Sequence, residues 1–562
     1  MKNEEIIRQI KLYGALLELQ GENSFKVRSY QTAAFHLEKL EKPLAEMSLT
    51  EIEKLEGIGK ALAAKIDDAR TNGQFRQLGD LLAQIPAGVV AMLSLDGLGV
   101  KKVQTLWKTY GFEDLTALLE ACENNQIAPL KGFGAKTQEN IRQALLFRLE
   151  NTGKVRLPQA EKAADQVLAF ANAQDISLEM VGQLRRSLPV IEQLDFLTSG
   201  PDETKAFAAL DQADFLEKDL RQSRLFVWAG RFRENQLRVQ VRYCPPAQLL
   251  AERLVNTAAP AHLGFVAPAQ TQSLMQLARQ QNFSTETAFY EALGFAYHPP
   301  ETREGPPRAD FPLALLETKD LKGILHAHST YSDGKHRLEE MARACQQAGY
   351  EYLGITDHSQ SAFYANGLKI AQIQAQHAEI DALNQVLAPF RIFKGIEADI
   401  LADGSLDYPD EVLQTFDFVI ASVHANLKMD KAKATQRLLK AIAHPYTTIL
   451  GHLSGRILLR REGYPLEYEA ILEACAAHGV VIEINASPYR LDLDWTWVEK
   501  AREKGILLSI NPDAHEMAGI GDVRYGVQMG RKGFLSASHT LNTLSAEALA
   551  DYFEQRKRRI QM

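Results

Sequence analysis

The sequence predicts a multidomain chain that starts in helices and ends in an α/β barrel of parallel strands. Three observations carry that prediction. From Gly323 onward, short apolar strands alternate with helix-patterned segments, and almost every strand stops at a metal-type side chain. Before residue 150, three Gly-apolar-Gly turns each open a helix-patterned stretch with lysines just inside it. Between the two regions, Pro299 to Asp310 gathers proline, glycine and charge as a linker does.

In the barrel, Gly323-Ile324-Leu325 delivers His326 and His328 at a spacing that puts both imidazoles on one face of a strand. Asp333 follows, so two imidazoles and a carboxylate can close on one metal or two adjacent ones. Tyr352 to Thr356 runs into Asp357 and His358, Ile392 to Ile396 into Glu397, Phe418 to Val423 into His424, and Thr448 to Gly451 into His452. Val480 to Ile484 ends at Asn485, which is no strong ligand. Leu507 to Ile510 runs through Asn511 and Pro512 to Asp513 and His515. Between the strands lie stretches with helical apolar spacing, such as Leu338 to Ala348 and Ala470 to Ala477. Seven strands alternating with helices imply a parallel sheet, most simply closed as a barrel, whose chemistry sits at the C-terminal strand ends. A single His-x-His is as often a solvated strand end. Six of the chain's 14 histidines at such ends point instead to a multi-metal site.

These residues resemble the polymerase and histidinol phosphatase (PHP) domain, a distorted (β/α)7 barrel of metal-dependent phosphoesterases. Gly455-Arg456, Glu483-Ile484-Asn485-Ala486 with Tyr489-Arg490-Leu491-Asp492, and Gly533-Phe534-Leu535 resemble its polymerase-attached branch. The resemblance covers about residue 321 to the end and implies nine metal ligands: His326, His328, Asp333, His358, Glu397, His424, His452, Asp513 and His515. It implies two or three divalent ions. His326, His328, Glu397 and Asp513 would hold one, and Asp333, His358 and His515 a second. Glu397 would bridge to a third held by His424 and His452. The set contains no thiolate, which suits Mn²⁺ or Zn²⁺ better than a soft metal. Arg456 and Arg490 are candidates for phosphate contact, against the blander role of surface salt bridges.

The N-terminal turns are Gly57-Ile58-Gly59-Lys60, Gly97-Leu98-Gly99 before Lys101 and Lys102, and Gly132-Phe133-Gly134 before Lys136. Paired glycines let the backbone turn tightly, and the N–H groups opening the next helix favour a phosphate. One such turn could be an ordinary helix connection; three together resemble helix-hairpin-helix motifs, which grip the DNA backbone without reading sequence. Phe25-Lys26-Val27-Arg28-Ser29-Tyr30 also resembles a DNA-binding first domain of the family X DNA polymerases. Lys65 falls where the sugar-phosphate lyases of that family place their Schiff-base lysine; a phosphate-contacting or solvated helix lysine is the plainer reading.

Residues 155–310 resemble the α+β nucleotidyltransferase core of the same polymerases, with losses. Met180-Val181-Gly182-Gln183-Leu184-Arg185-Arg186 is similar to a Gly-Ser-x-Arg-Arg element, with Gln183 in place of serine. Where the family carries two metal-binding carboxylates on a strand, this chain has Gln193 and Asp195; where it carries a third, this chain has Gln240. A Thr-Gly-Ser segment that grips nucleotides appears as Thr257-Ala258-Ala259. The resemblance then implies domains at 1–85, 86–150, 155–310 and 321–562, in the order of polymerase X chains with a C-terminal PHP domain.

With 562 residues, 46% hydrophobic and 24% charged, the chain has the composition of a soluble globular protein. A net charge of −8 argues against a wholly basic nucleic-acid coat but leaves room for local basic surfaces. Cys122, Cys244, Cys345 and Cys475 form no C-x-x-C pair and suggest buried thiols in a reducing compartment. No secretory signal and no bilayer-length apolar run is visible, so a cytoplasmic location without membrane contact is expected. The expected function is a DNA-binding, metal-dependent phosphoesterase: a 3′-to-5′ exonuclease, or a nuclease that processes 3′ ends or abasic sites in repair. Its expected partner is DNA, as single-stranded ends or gapped or nicked duplex, with little sequence preference. Polymerase activity is expected to be absent or weak. The competing readings are a gap-filling polymerase assisted by the barrel, a small-molecule phosphatase and a non-catalytic DNA-end scaffold.

Overall fold

Helical apolar spacing organises the first part of the chain. The computed structural model describes residues 1–562 apart from 2, 39, 41, 96, 201–202, 269, 312–313 and 562. Within residues 1–152, a compact unit of its own, the helix Asn3–Gln20 buries Ile6, Ile10, Tyr13, Leu16 and Leu17 along one stripe. The Tyr13 ring meets Tyr30 and Phe75 edge-on, at 5.0 and 5.2 Å. The same core continues through Val89, Leu106, Leu118, Ile141 and Leu145, so residues 1–85 and 86–150 share one hydrophobic interior.

Residues 153–562 form the second unit. Its first part is α+β. Five strands, β1 (Leu178–Val181), β2 (Gln193–Thr198), β3 (Leu216–Lys218), β4 (Val227–Phe232) and β5 (Arg238–Tyr243), lie in the order β1-β2-β5-β4-β3. Only β2 and β5 run parallel; their register sets Asp195 beside Gln240. Three helices, Leu249–Thr257, Leu274–Gln280 and Glu286–Ala292, pack around Leu254, Leu277, Phe289 and Tyr290.

The barrel follows as seven parallel strands in sequential order: β6 (Gly323–Ile324), β7 (Tyr352–Ile355), β8 (Arg391–Asp399), β9 (Phe418–Ser422), β10 (Ile449–Leu450), β11 (Val481–Asn485) and β12 (Leu508–Asn511). All seven strands lie where the sequence puts them. Just beyond β6, the His328 N–H donates to the Ala514 carbonyl at 2.8 Å, drawing the first and last strands together. At the N-terminal end of the strands the interior is aromatic. A Cβ on Gly354 or Gly395 would lie 2.6 or 2.5 Å from the Phe418 ring, so that ring fits only because both positions are glycine. Phe418 stacks in turn on Phe553 of the C-terminal helix Ala546–Gln561, centroids 5.1 Å apart. The closed end is therefore apolar, and polar side chains collect at the other.

The α+β part and the barrel share a core running from Val155 to Leu535. Lys532, on the barrel helix Val523–Lys532, is fully buried between them. Its ammonium donates to the Arg186 carbonyl at 2.9 Å, the Glu301 carbonyl at 3.3 Å and Glu304 Oε1 at 2.8 Å. A buried cation persists only when it is satisfied in this way.

Candidate metal centre

The polar strand ends converge on one acidic, imidazole-rich cluster. Glu397, buried on β8, is its hub. Its Oε1 lies 2.9 Å from His452 Nε2, 3.2 Å from His424 Nε2 and 3.5 Å from His326 Nε2. Its Oε2 lies 2.9 Å from His358 Nδ1 and 3.7 Å from His328 Nε2. Asp513 Oδ1 stands 3.1 Å from His328 Nε2 and 3.5 Å from His326 Nε2. Asp333 Oδ1 stands 3.4 Å from His515 Nε2 and 3.7 Å from His358 Nε2. All nine residues singled out in the sequence meet here.

Among the described residues, three subsets have ligand atoms close enough together to share an ion: His328, Asp333, His358 and His515; His326, His328 and Asp513; and His358, Glu397 and His424. Several atoms at their centre, namely His326 Nε2, His358 Nδ1 and Glu397 Oε2, are buried at ion-pair distance from other groups of the cluster yet make no aligned hydrogen bond. Such imidazole nitrogens and carboxylate oxygens are costly unless a cation takes them up. The donor set of imidazole and carboxylate, without a thiolate, fits a divalent metal ion.

Electrostatics reflects the crowding. Burial alone would push His424 down, but Glu397 and Asp399 outweigh it and raise it to about 10. Against burial, Asp333 and Asp513 likewise raise His515 to about 9. His328, buried and flanked by His515 and His358, falls to about 3. Glu397 and Asp513 sit well below the usual carboxylate range, because the surrounding imidazoles outweigh burial.

A second layer fixes these rings. Glu483 Oε1 accepts from His326 Nδ1 at 2.6 Å, which turns Nε2 toward the cluster, and Glu483 Oε2 accepts the His452 backbone N–H at 2.8 Å. Asp399 accepts from His424 Nδ1. Asn485 donates to Asp513 Oδ2 at 3.1 Å. Asp357 accepts from Ser329 and Ser332 and from Gln376 at 2.7 Å, so it organises the loop behind His328 rather than joining the cluster. Such outer carboxylates set the imidazole tautomer and ring orientation. Sequence reasoning named Glu483 and Asn485 only as part of a motif, without this role, and passed over Asp399. A charged residue inside the apolar run Val480 to Ile484 was the available signal, since a buried carboxylate must be partnered. His452 and Asp513 also hold left-handed φ values of 21° and 54°, the kind of strained backbone that collects at functional sites.

The two arginines differ. Arg456 is engaged with its own neighbourhood: Nε donates to the Arg490 carbonyl at 2.9 Å, and the terminal nitrogens bond Asp494 and the Leu491 carbonyl. Arg490 turns toward the cluster, with Nε 3.6 Å from Asp513 Oδ2.

Residues 325–487 match the PHP domain family, residues 1–75 a helix-hairpin-helix domain and residues 89–145 a SAM-like helix-hairpin-helix tandem. The "DNA polymerase/3'-5' exonuclease PolX" of Bacillus subtilis is 33% identical over 566 residues, covering 98% of each chain. The chain belongs to the PolX family. The PHP part also has shorter relatives. A "Probable phosphatase" of Caldanaerobacter subterraneus subsp. tengcongensis is 28% identical over 259 residues, which is 43% of this chain and 94% of that one. Another, from Vibrio campbellii, is 25% identical over 256 residues, 43% of this chain and 95% of its own.

In this PolX-family chain the first glycine of each N-terminal turn lies in the left-handed region. Gly57, Gly97 and Gly132 have φ of 74°, 83° and 88°. Gly59, Gly99 and Gly134 cap the helices Lys60–Asn72, Val100–Gln104 and Ala135–Glu150 without any side-chain bond to the first N–H groups. Lys60, Lys101 and Lys136 are exposed beside those ends and Lys102 is half-buried. Lys65 donates to the Ala61 carbonyl at 3.3 Å, and burial, with Lys26 nearby, lowers its pKa.

In the α+β part, Asp195 stands between two glutamines. Gln193 Nε2 donates to its Oδ1 at 2.6 Å, and Gln240 accepts from Arg242 at 3.3 Å. A Cβ on Gly182, where φ is +71°, would fall 2.4 Å from Asp195 Oδ2. Burial raises the Asp195 pKa. Thr257 is taken up internally: its hydroxyl accepts from Arg185 at 2.8 Å and its carbonyl from Arg186 at 2.5 Å.

Proposed function

We propose that this chain is a metal-dependent 3′-to-5′ exonuclease acting on DNA ends in repair, with a polymerase site that is silent or nearly so. The observation that carries the reading is the set of buried nitrogens and oxygens around Glu397 that make no aligned hydrogen bond, in a PHP-type barrel. His326, His328, Glu397 and Asp513 would hold one divalent ion, and Asp333, His358 and His515 a second. His424 and His452, with Glu397, would hold a third. When bound, such ions lower the pKa of a bound water and offset charge on a phosphoryl oxygen. Glu483 and Asp399 keep His326 and His424 in the ligating tautomer. Arg490 supplies a fixed positive charge at the rim for the phosphodiester.

The helix-hairpin-helix turns support DNA as the substrate. Their uncapped N–H groups and lysines suit phosphates of single-stranded ends and of gapped or nicked duplex, with little dependence on sequence. The Bacillus subtilis relative's name pairs a polymerase with a 3′–5′ exonuclease. For the polymerase half, the chain's own residues point the other way. Nucleotidyl transfer needs carboxylates to gather two metal ions, and the two side chains paired with Asp195 here are the neutral Gln193 and Gln240. Glu192 is no substitute, since its carboxylate pairs with Lys154 at 3.0 Å and Arg238 at 3.7 Å. Four buried free thiols suit a reducing, cytoplasmic setting, and no described helix is long and apolar enough to cross a membrane.

The test is a comparison of products. A 5′-labelled single strand incubated with Mn²⁺ should shorten one nucleotide at a time from its 3′ end. Hydrolysis confined to a small phosphomonoester, with the strand intact, would make the barrel a small-molecule phosphatase and refute the proposal.

A further inference from the structure

Beside the metal cluster, the chain displays two aromatic side chains where a soluble protein has reason to hide them. Phe363 is 88% exposed and Tyr364 is 67% exposed. They form the tip of a single turn, Phe363–Ala365, on the loop that leaves His358. The base of that loop is fixed. Ala362, Ala365 and Leu368 are fully buried, the Leu368 N–H donates to the His358 carbonyl at 2.8 Å, and Asp407 accepts from the Ser359 hydroxyl at 2.8 Å and the Ser361 N–H at 2.9 Å. The tip is thus held out by a rigid support.

Its position is next to the reacting centre. The Tyr364 ring lies edge-on to the imidazoles of His358 and His424, with centroids 5.9 and 6.3 Å away. The Tyr364 ring therefore borders the cluster, and Phe363 beside it is open to solvent. Tyr489, another exposed aromatic of the barrel, already carries the Arg156 guanidinium on its ring at 3.9 Å. No ring or cation among the described residues stacks on Phe363.

We propose that Phe363 and Tyr364 are the stacking platform for the base of the 3′-terminal nucleotide. A strand whose scissile phosphate lies at the cluster carries its terminal base within one nucleotide's reach of this turn, whose Tyr364 ring borders His358 and His424. Every base has a flat π-face, so stacking on aromatic side chains binds any base and needs no sequence code. The platform rests on the exonuclease reading and adds a selectivity to it: strands ending in a base are held better than strands ending in a bare sugar.

Two measurements on the full chain test this. In the first, a single strand carries 2-aminopurine at its 3′ end, with EDTA present so that the strand is not shortened. Binding should quench the fluorescence with the wild type and with Phe363→Tyr, and should not with the double variant Phe363→Ala, Tyr364→Ala. In the second, with Mn²⁺ present, wild-type KM should be roughly tenfold lower for a strand ending in a nucleotide than for one ending in an abasic sugar analogue. In the double variant the two KM values should become equal. An unchanged KM ratio, or equal quenching by the double variant, would overturn the platform while leaving the exonuclease intact. A wild type that degrades neither strand would overturn the exonuclease reading and the platform with it.

Discussion

Replacing Glu483 by glutamine should weaken metal binding without unfolding the barrel. Glu483 is fully buried and accepts only. Oε1 receives His326 Nδ1 at 2.6 Å and Asn511 Nδ2 at 3.2 Å; Oε2 receives the His452 N–H at 2.8 Å and Asn485 Nδ2 at 3.2 Å. An amide in place of either oxygen sets an NH₂ against two donors and removes the charge that orients His326. A hydrogen bond to a charged group contributes about 1.5–3 kcal/mol. Local rearrangement recovers part of that, which leaves the 10–100-fold loss in affinity or activity typical of outer-layer partners, about 1.4–2.7 kcal/mol. The assay is calorimetric titration of Mn²⁺ into stripped protein, beside the Mn²⁺ concentration that half-saturates DNA cleavage and a circular-dichroism melt. An affinity within threefold of wild type, with the fold intact, would refute the idea that Glu483 orients the cluster.

Acid should loosen the α+β part through Glu286. Burial would raise this carboxyl, but Arg303 at 2.6 Å and Arg185 at 2.9 Å outweigh it and hold it at about 2. A depressed carboxylate adds stability above its unfolded pKa, near 4.5, and loses it as pH falls through the folded value. Stability should therefore drop between about pH 4.5 and pH 2 by on the order of 3 kcal/mol, read as a falling melting temperature, and Glu286→Gln should flatten that part of the profile. Gly57→Val should weaken DNA binding, because φ is +74° and a Cβ would meet the His36 ring at 3.0 Å; backbone strain of this kind costs about 1–3 kcal/mol. Wild-type affinity, followed by fluorescence anisotropy, should fall steeply with added salt, and a flat salt response would contradict phosphate contact. Primer extension on a gapped template, in a His326→Ala, Asp513→Ala background that cannot degrade the product, should be negligible. Templated extension that Asp195→Ala abolishes would overturn the silent-polymerase reading.

The barrel was legible because its signals are local. Each strand is a short apolar run, and its ligand follows at once, so the positions of His326, Glu397 and His452 could be read without knowing the pairing. The outer layer was not legible from spacing. Glu483 serves His326 from 157 residues away, and Asn485 serves Asp513 across neighbouring strands, so their roles depend on the closed sheet. Arg456 and Arg490 look alike in sequence, and only the fold separates a guanidinium consumed by Asp494 from one facing the cluster. The exposed Phe363-Tyr364 pair carries no periodicity at all. Its place beside His358 comes from a turn fixed by Asp407, more than forty residues later in the chain.

The most direct test of the whole account is cleavage of a 5′-labelled single strand by protein stripped with a chelator and then resupplied with Mn²⁺. Wild type should be inert when stripped and shorten the strand from its 3′ end when Mn²⁺ returns, whereas His326→Ala with Asp513→Ala should stay inert in both conditions. Full Mn²⁺-dependent shortening by that double variant would place the nuclease outside the barrel cluster and contradict the account.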